Sequence, residues 1–131
     1  MTFFKDIKSV VREDRNTSLS SINKDNPLFV FVIMPGDIDV EDRWNNFQDP
    51  LDEALTKADL GCVTGGGSAD GGEDDLAEPF SGVDVDLYDA AKGIEFLRQE
   101  LVRLKAPPGT IMTYELEGRE WEDPVYPPKP S

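Results

Sequence analysis

The run at residues 28–34, LFVFVIM, constrains the fold more than any other feature of this chain. It is uninterrupted, apolar and rich in β-branched and aromatic residues, and it lies between Pro27 and Pro35. A short run of this kind, bounded by turn residues, is typical of a strand buried on both faces or placed at the centre of a sheet. The chain must therefore build a sheet around this strand.

Two helices follow from periodicity and end signals. In residues 49–61 the pattern predicts a helix with Asp49 as N-cap, a proline at the first helical position and Gly61 at the left-handed C-terminal turn. Residues 90–105 repeat leucine and isoleucine at helical spacing after a possible cap at Asp89, and the sequence Ala-Pro-Pro-Gly ends them. We expect both helices to bury one apolar face.

Three further strands complete the pattern. One begins at Cys62, the next begins at Gly82, and the third spans residues 110–116. With the helices, the order is strand, helix, strand, strand, helix, strand. This order closes most simply into a ferredoxin-like βαββαβ fold of the α+β class, with a four-stranded antiparallel sheet and both helices on one face.

The chain ends are assigned separately. We expect one domain over residues 1–118, in which residues 1–26 form an amphipathic helix and a loop, and a Pro-rich tail over residues 119–131. The helix is predicted from apolar residues at helical spacing with charges between them. They are Phe3, Phe4, Ile7, Val10 and Val11.

Charge limits the classes of function. The chain has 27 acidic and 13 basic residues, no histidine and a formal net charge of -14. Such a chain repels nucleic acid and anionic membranes and attracts basic partners. Without histidine the commonest general base and metal ligand are missing. With one cysteine, Cys62, and no long apolar stretch, we expect a cytoplasmic protein without an internal disulfide or membrane span.

Two motifs resemble ligand-binding loops but lack part of the sequence pattern that such loops require. Gly65, Gly66 and Gly67 resemble a phosphate-binding loop, but no Gly-Lys-Ser/Thr sequence follows and the next residues are acidic. Residues 70–75 offer carboxylates for Ca²⁺ without the spacing of an EF-hand loop, which leaves only weak calcium binding open. We therefore expect no cofactor, no dedicated metal site and no catalytic residues.

Four blocks of sequence are similar to a known group of proteins. They are residues 47–55, 59–68, 83–87 and 104–110, and the blocks DPLDEAL and VTGGGS are the most characteristic. Over residues 47–118 the chain resembles short bacterial proteins that look like immunity proteins of polymorphic toxin systems. The resemblance implies a non-enzymatic protein that neutralises a cognate toxin by covering its active site or substrate-binding surface.

On this hypothesis the partner is a toxin with a basic surface, since acidic and basic surfaces attract. The predicted contact residues are acidic side chains with aromatic anchors. They are Asp70, Glu73, Asp74, Asp75, Asp84 and Asp86, with Trp44 and Tyr88. Two alternatives stay open, which are a small hydrolase that uses aspartates on a divalent metal and a regulatory module that binds a basic protein other than a toxin.

Overall fold

A five-stranded antiparallel sheet forms the centre of the molecule, in the strand order β2-β3-β1-β4-β5. This computed structural model describes residues 21–36, 38–69 and 79–126. The predicted N-terminal helix and the acidic residues 70–75 lie outside the described residues. The strands are β1 (Leu28–Pro35), β2 (Gly61–Ala69), β3 (Phe80–Leu87), β4 (Ile111–Leu116) and β5 (Arg119–Pro124).

The helical elements are α1 (Val40–Arg43), a π-helical turn (Trp44–Gln48), α2 (Asp49–Ala58) and α3 (Ala90–Arg103). The first three form one continuous helical run, because the residues at each junction keep right-handed helical backbone angles. At α3 the side chain of Asp89 accepts a hydrogen bond from the backbone N–H of Lys92 at 2.8 Å, which confirms the predicted cap.

The register gives the sheet two different faces. Paired residues on neighbouring strands share a face, and alternate residues along one strand point to opposite faces. On the first face Val30 pairs with Val85 and Val32 with Val83, and all four are fully buried. Leu51 and Leu55 of α2 and Leu97 and Leu101 of α3 join the same core cluster. The helices therefore cover this first face.

The second face carries the alternate residues of the same strands. Its centre is a row of apolar residues on β1, and carboxylates lie on the strands at both sides. We use the term second face for the residues Phe29, Phe31, Ile33, Phe80, Asp84, Asp86, Ile111, Thr113, Glu115, Glu120 and Glu122.

The sheet is larger than the sequence predicted. The α+β class is confirmed, but the number of strands was wrong, since β5 pairs with β4 and forms a fifth strand within the segment assigned to the tail. Tyr114 on β4 donates a hydrogen bond to Asp123 on β5, and Val125 beyond β5 is 1% exposed. Burial and the contact with Asp123 raise the pKa of the Tyr114 hydroxyl, which therefore stays protonated.

Both predicted ends of the first helix were also wrong. Asp49 does not cap α2, because the helical run already begins at Val40 and passes through the π-helical turn. A proline ring in a helix clashes with the carbonyl four residues earlier, and the wide turn lies where Pro50 would cause this clash. At the other end Asp59, with φ of 57°, takes the left-handed position that was expected for Gly61.

Candidate functional site

The structure brings together three of the eight predicted contact residues. Asp84, Asp86 and Tyr88 are alternate residues that run along β3 and just beyond its end, so they point to the second face. All three are partly exposed. We call Asp84, Asp86 and Tyr88 the β3 row. Trp44 lies apart, in the helical run, and the remaining four residues lie outside the described part of the chain.

The carboxyl group of Asp84 in this row has a perturbed pKa. Partial burial raises the pKa of Asp84 above its ordinary value of 3.8, and the nearby negative charge of Asp86 raises it further. Within the described residues Asp84 has no salt bridge. An ionised carboxylate that is partly removed from water and lies beside a like charge is stabilised when a cation approaches.

A β-bulge in the neighbouring strand shapes the space around Asp84. The register of β2 against β3 shifts between Val63 and Gly65, which leaves Thr64 as the extra residue. The Thr64 hydroxyl donates to the backbone carbonyl of Asp84 at 3.4 Å. A Cβ atom at Gly65 would lie 3.3 Å from Oδ2 of Asp84, so a glycine there leaves room for the carboxylate. Gly65, the first of the three consecutive glycines, therefore lies at a β-bulge and leaves room for the Asp84 side chain.

Tyr88 is engaged with its own chain. Nζ of Lys24 lies 5.4 Å from the centre of the Tyr88 ring and 2.9 Å from Oδ1 of Asp59. A hydrogen bond with Cys62 is the main cause that raises the pKa of Tyr88, followed by burial and nearby negative charge. The contact with Lys24 holds the turn before β1 against the end of β3. Both the hydroxyl and the ring of Tyr88 therefore already have contacts within the chain.

Trp44 is the most exposed large apolar residue of the described chain, at 48%. It opens the π-helical turn, whose buried residues are Phe47 and Gln48. Because this turn belongs to the layer that packs on the first face, Trp44 and the β3 row do not form one continuous patch. As an aromatic anchor, Trp44 would serve a different contact from the carboxylates of the β3 row.

Sequence reasoning missed a buried polar cluster beside β2. Arg43 is 6% exposed, and its Nε donates to Oε1 of Gln48 at 2.9 Å. The Nη1 atom of Arg43 is buried and has no hydrogen-bond partner among the described residues. A Cβ atom at Gly66 would lie 2.6 Å from Oε1 of Gln48, so the glycine permits this contact. The signal in the sequence was an arginine and a glutamine five residues apart. A π-helical turn brings residues at this spacing to the same side of a helix.

A surface groove lies between α2 and the end of α3. The groove has a volume of about 350 Å³ and is lined by Pro50, Glu53, Ala54, Lys57 and Arg103. Among the described residues, no group of three or more cysteine, aspartate and glutamate side chains is arranged to hold a metal ion. No helix in this part of the chain is long and apolar enough to cross a membrane.

Comparison of the chain with protein-family models, with curated proteins and with solved structures finds no match in any of the three.

Proposed function

We propose that this protein is a non-enzymatic immunity protein, which binds a bacterial toxin through an acidic surface and covers the toxin's active site or substrate-binding surface. The observation that carries the proposal is the environment of the Asp84 carboxyl group. This partly buried carboxyl group lies beside Asp86 and has no salt bridge within the described residues. A guanidinium or ammonium group from a partner would supply the missing counter-charge.

The net charge of -14 supports the same partner chemistry. An acidic surface accelerates association with a basic one, and the rate falls as salt rises. Toxins that act on nucleic acid present basic clefts of this kind, since they must bind phosphates. Asp70, Glu73, Asp74 and Asp75 would extend the acidic surface in this proposal, and Trp44 would form a separate aromatic contact.

We also propose that β1 to β4, with α2 and α3, form a ferredoxin-like βαββαβ unit that β5 extends. The strand order β2-β3-β1-β4 and the antiparallel pairing of all neighbours support it. The shared core cluster of α2 and α3 supports helices on one face. In this fold the β3 row would lie on the side of the sheet away from these helices.

The test captures partners on immobilised protein and measures the association rate of any basic protein recovered. Three forms are compared, which are the wild type, the double variant Asp84→Lys with Asp86→Lys, and the control Glu53→Lys with Glu117→Lys. The control makes the same change in net charge at two exposed positions away from β3. We expect the β3 variant alone to lose at least about tenfold in association rate at low salt.

Function is then tested by co-expression of the captured protein with each form. Protection of cells by the wild type and the control, but not by the β3 variant, supports the proposal. A captured protein that is not toxic would favour a regulatory module, and equal protection by all three forms would remove the β3 row from the contact. Binding of Mg²⁺ in calorimetry, with no captured partner, would favour the metal-dependent hydrolase.

A further inference from the structure

The centre of the second face is shielded from water. Ile33 and Thr113, on neighbouring strands β1 and β4, are 7% and 1% exposed. Ile33 is outside the core cluster that the helices share. Within the described residues, every buried helical side chain that is apolar packs into that cluster on the first face. Neighbouring side chains flank a residue at the centre of a sheet, but they leave it open from above. Such strong burial points to a further piece of the molecule over Ile33.

The second face has a pattern that selects what can cover it. Phe29, Phe31 and Ile33 form an apolar strip along β1, and Phe31 meets Phe80 edge to face with ring centres 6.4 Å apart. Carboxylates flank this strip on both sides. They are Asp84 and Asp86 on β3, and Glu115, Glu120 and Glu122 on β4 and β5. A matching cover needs an apolar stripe with basic residues beside it.

We propose that residues 1–20 of this chain form an amphipathic helix that covers the apolar strip and the flank of the second face on β4 and β5, and leaves Asp84 and Asp86 on β3 uncovered. Phe3, Phe4, Ile7, Val10 and Val11 repeat at helical spacing and would lie on the strip. The segment also carries four of the 13 basic residues of the chain but only three of its 27 acidic ones. Lys8, Arg12 and Arg15 follow one another at spacings of four and three residues, which places them along one side of a helix.

The other segments outside the described residues do not fit. Residues 70–78 carry five carboxylates and no basic residue, so the acidic flanks of the second face would repel them. Residues 127–131, PPKPS, contain no large aliphatic or aromatic side chain, and five residues are too few to cover the apolar strip along β1. Residues 1–20, by contrast, combine large apolar residues at helical spacing with four basic residues.

The length of the proposed helix and the link that joins it to β1 also fit this placement. A helix over residues 3–14 would be about 18 Å long, and the eight residues of β1 extend over about 26 Å. Residues 15–20 link the helix to the turn at Asn23 and Asn26 that precedes β1, and six residues can reach about 20 Å when extended. The segment can therefore return along β1 without strain.

The first test locates the segment in the full-length protein by nuclear magnetic resonance. We expect nuclear Overhauser contacts from the methyl groups of Ile7 and Val10 to those of Ile33 and Ile111. In a mixture of differently labelled molecules these contacts should arise within one chain. Contacts found only between molecules would assign the cover to a second copy, and their absence altogether would also overturn the proposal.

The second test compares two full-length variants. Ile7→Asp introduces a charge on the apolar stripe, and Ser9→Asp introduces the same charge on the opposite side of the predicted helix. In urea unfolding we expect Ile7→Asp to lower the folding equilibrium constant at least about tenfold, since a buried isoleucine is replaced by a charge. Ser9→Asp should change it less than about threefold. Equal effects of the two variants would overturn the proposal.

This inference is independent of the proposed function. It assigns the apolar strip and the flank on β4 and β5 to the chain itself, whereas the proposed partner contact is Asp84 and Asp86 on the opposite flank. Loss of partner binding in the β3 variant would leave the methyl contacts unchanged. Conversely, missing methyl contacts would overturn the proposed cover, while the β3 variant would still lose partner binding in the capture assay.

Discussion

Arg43 and Gln48 lie five residues apart, and the π-helical turn between them brings Nε of the arginine to 2.9 Å from Oε1 of the glutamine. A regular α-helix aligns residues three and four apart, whereas a π-helical turn aligns residues five apart. Both side chains are nearly inaccessible to water, at 6% and 2%. The pair is a buried charge held by a neutral amide, and one guanidinium nitrogen has no hydrogen-bond partner in the part of the chain that the structure describes.

Removal of the amide should cost more than removal of the charge. We expect Gln48→Leu to lower the free energy of unfolding by about 3 kcal/mol, because a buried guanidinium then loses its acceptor. Arg43→Met, which replaces the charge by an apolar chain of similar length, should cost less than about 1 kcal/mol or stabilise the protein. Urea unfolding of both variants measures the difference.

The double variant provides the control for that pair. In the Arg43→Met background, Gln48→Leu should cost clearly less than it does in the wild type, since no buried charge remains. Equal costs in both backgrounds would show that Gln48 stabilises the protein through packing alone.

The three consecutive glycines of β2 should differ sharply in their tolerance of a methyl group. A Cβ atom at Gly66 would lie 2.6 Å from Oε1 of Gln48 and 2.8 Å from the carbonyl oxygen of Gly82, whereas one at Gly67 meets no described atom within 4 Å. We expect Gly66→Ala to cost about 1–3 kcal/mol of stability, as overpacked sites do. Gly67→Ala, the matched control one residue away, should stay within about 0.5 kcal/mol in the same unfolding measurement.

Asp84→Asn should stabilise the protein at neutral pH and not in acid. The folded state raises the pKa of Asp84 above its ordinary value of 3.8, so ionisation costs native stability. The favourable protonated form is present below the unfolded pKa, and its benefit is lost as pH rises through the folded pKa. Because the group is partly solvated, the gain at pH 7 should be below about 1 kcal/mol.

Thermal unfolding from pH 7 down to pH 3 measures this difference. The control is Asp25→Asn, which removes the same charge at an exposed position in the turn before β1. A stabilisation by Asp84→Asn that persists unchanged at pH 3, or that Asp25→Asn reproduces in full, would contradict the role assigned to burial.

Two aspartates that look alike in the sequence should behave differently as helix caps. Asp89 accepts a hydrogen bond from the N–H of Lys92, so Asp89→Ala should cost about 1 kcal/mol. Asp49 lies inside a continuous helical run, where Asp49→Ala should change stability by less than about 0.5 kcal/mol. Chemical unfolding of the two variants distinguishes them, and equal losses would restore Asp49 as a cap.

The parts of the fold that sequence reasoning predicted depend on local signals. The apolar run before Pro35 became the central strand β1, flanked on both sides by β3 and β4. The alternation of valine and aspartate along β3 placed Asp84 and Asp86 on one face, as expected. In each case the period of two in a strand determines which side chains share a surface. The same reasoning could not join Trp44 to this row, because its position depends on the path of the helical run.

The strand β5 shows where local signals fail. Its sequence, REWEDP, is charged and ends in a proline, so composition favoured a tail. Edge strands commonly carry charges and proline, since these residues discourage pairing with other chains. The strand forms because the turn at Glu117 and Gly118, both with positive φ, returns the chain beside β4.

By itself, the sequence determined the α+β class, the central strand, the cap of α3 and the acidic row of β3, because each follows from residue spacing within one element. Tertiary structure decided the fifth strand, the π-helical turn that aligns Arg43 with Gln48, and the partial burial that raises the pKa of Asp84. These features depend on which distant segments come into contact. Spacing along the chain cannot specify them, since burial and hydrogen bonding arise only when elements pack against one another.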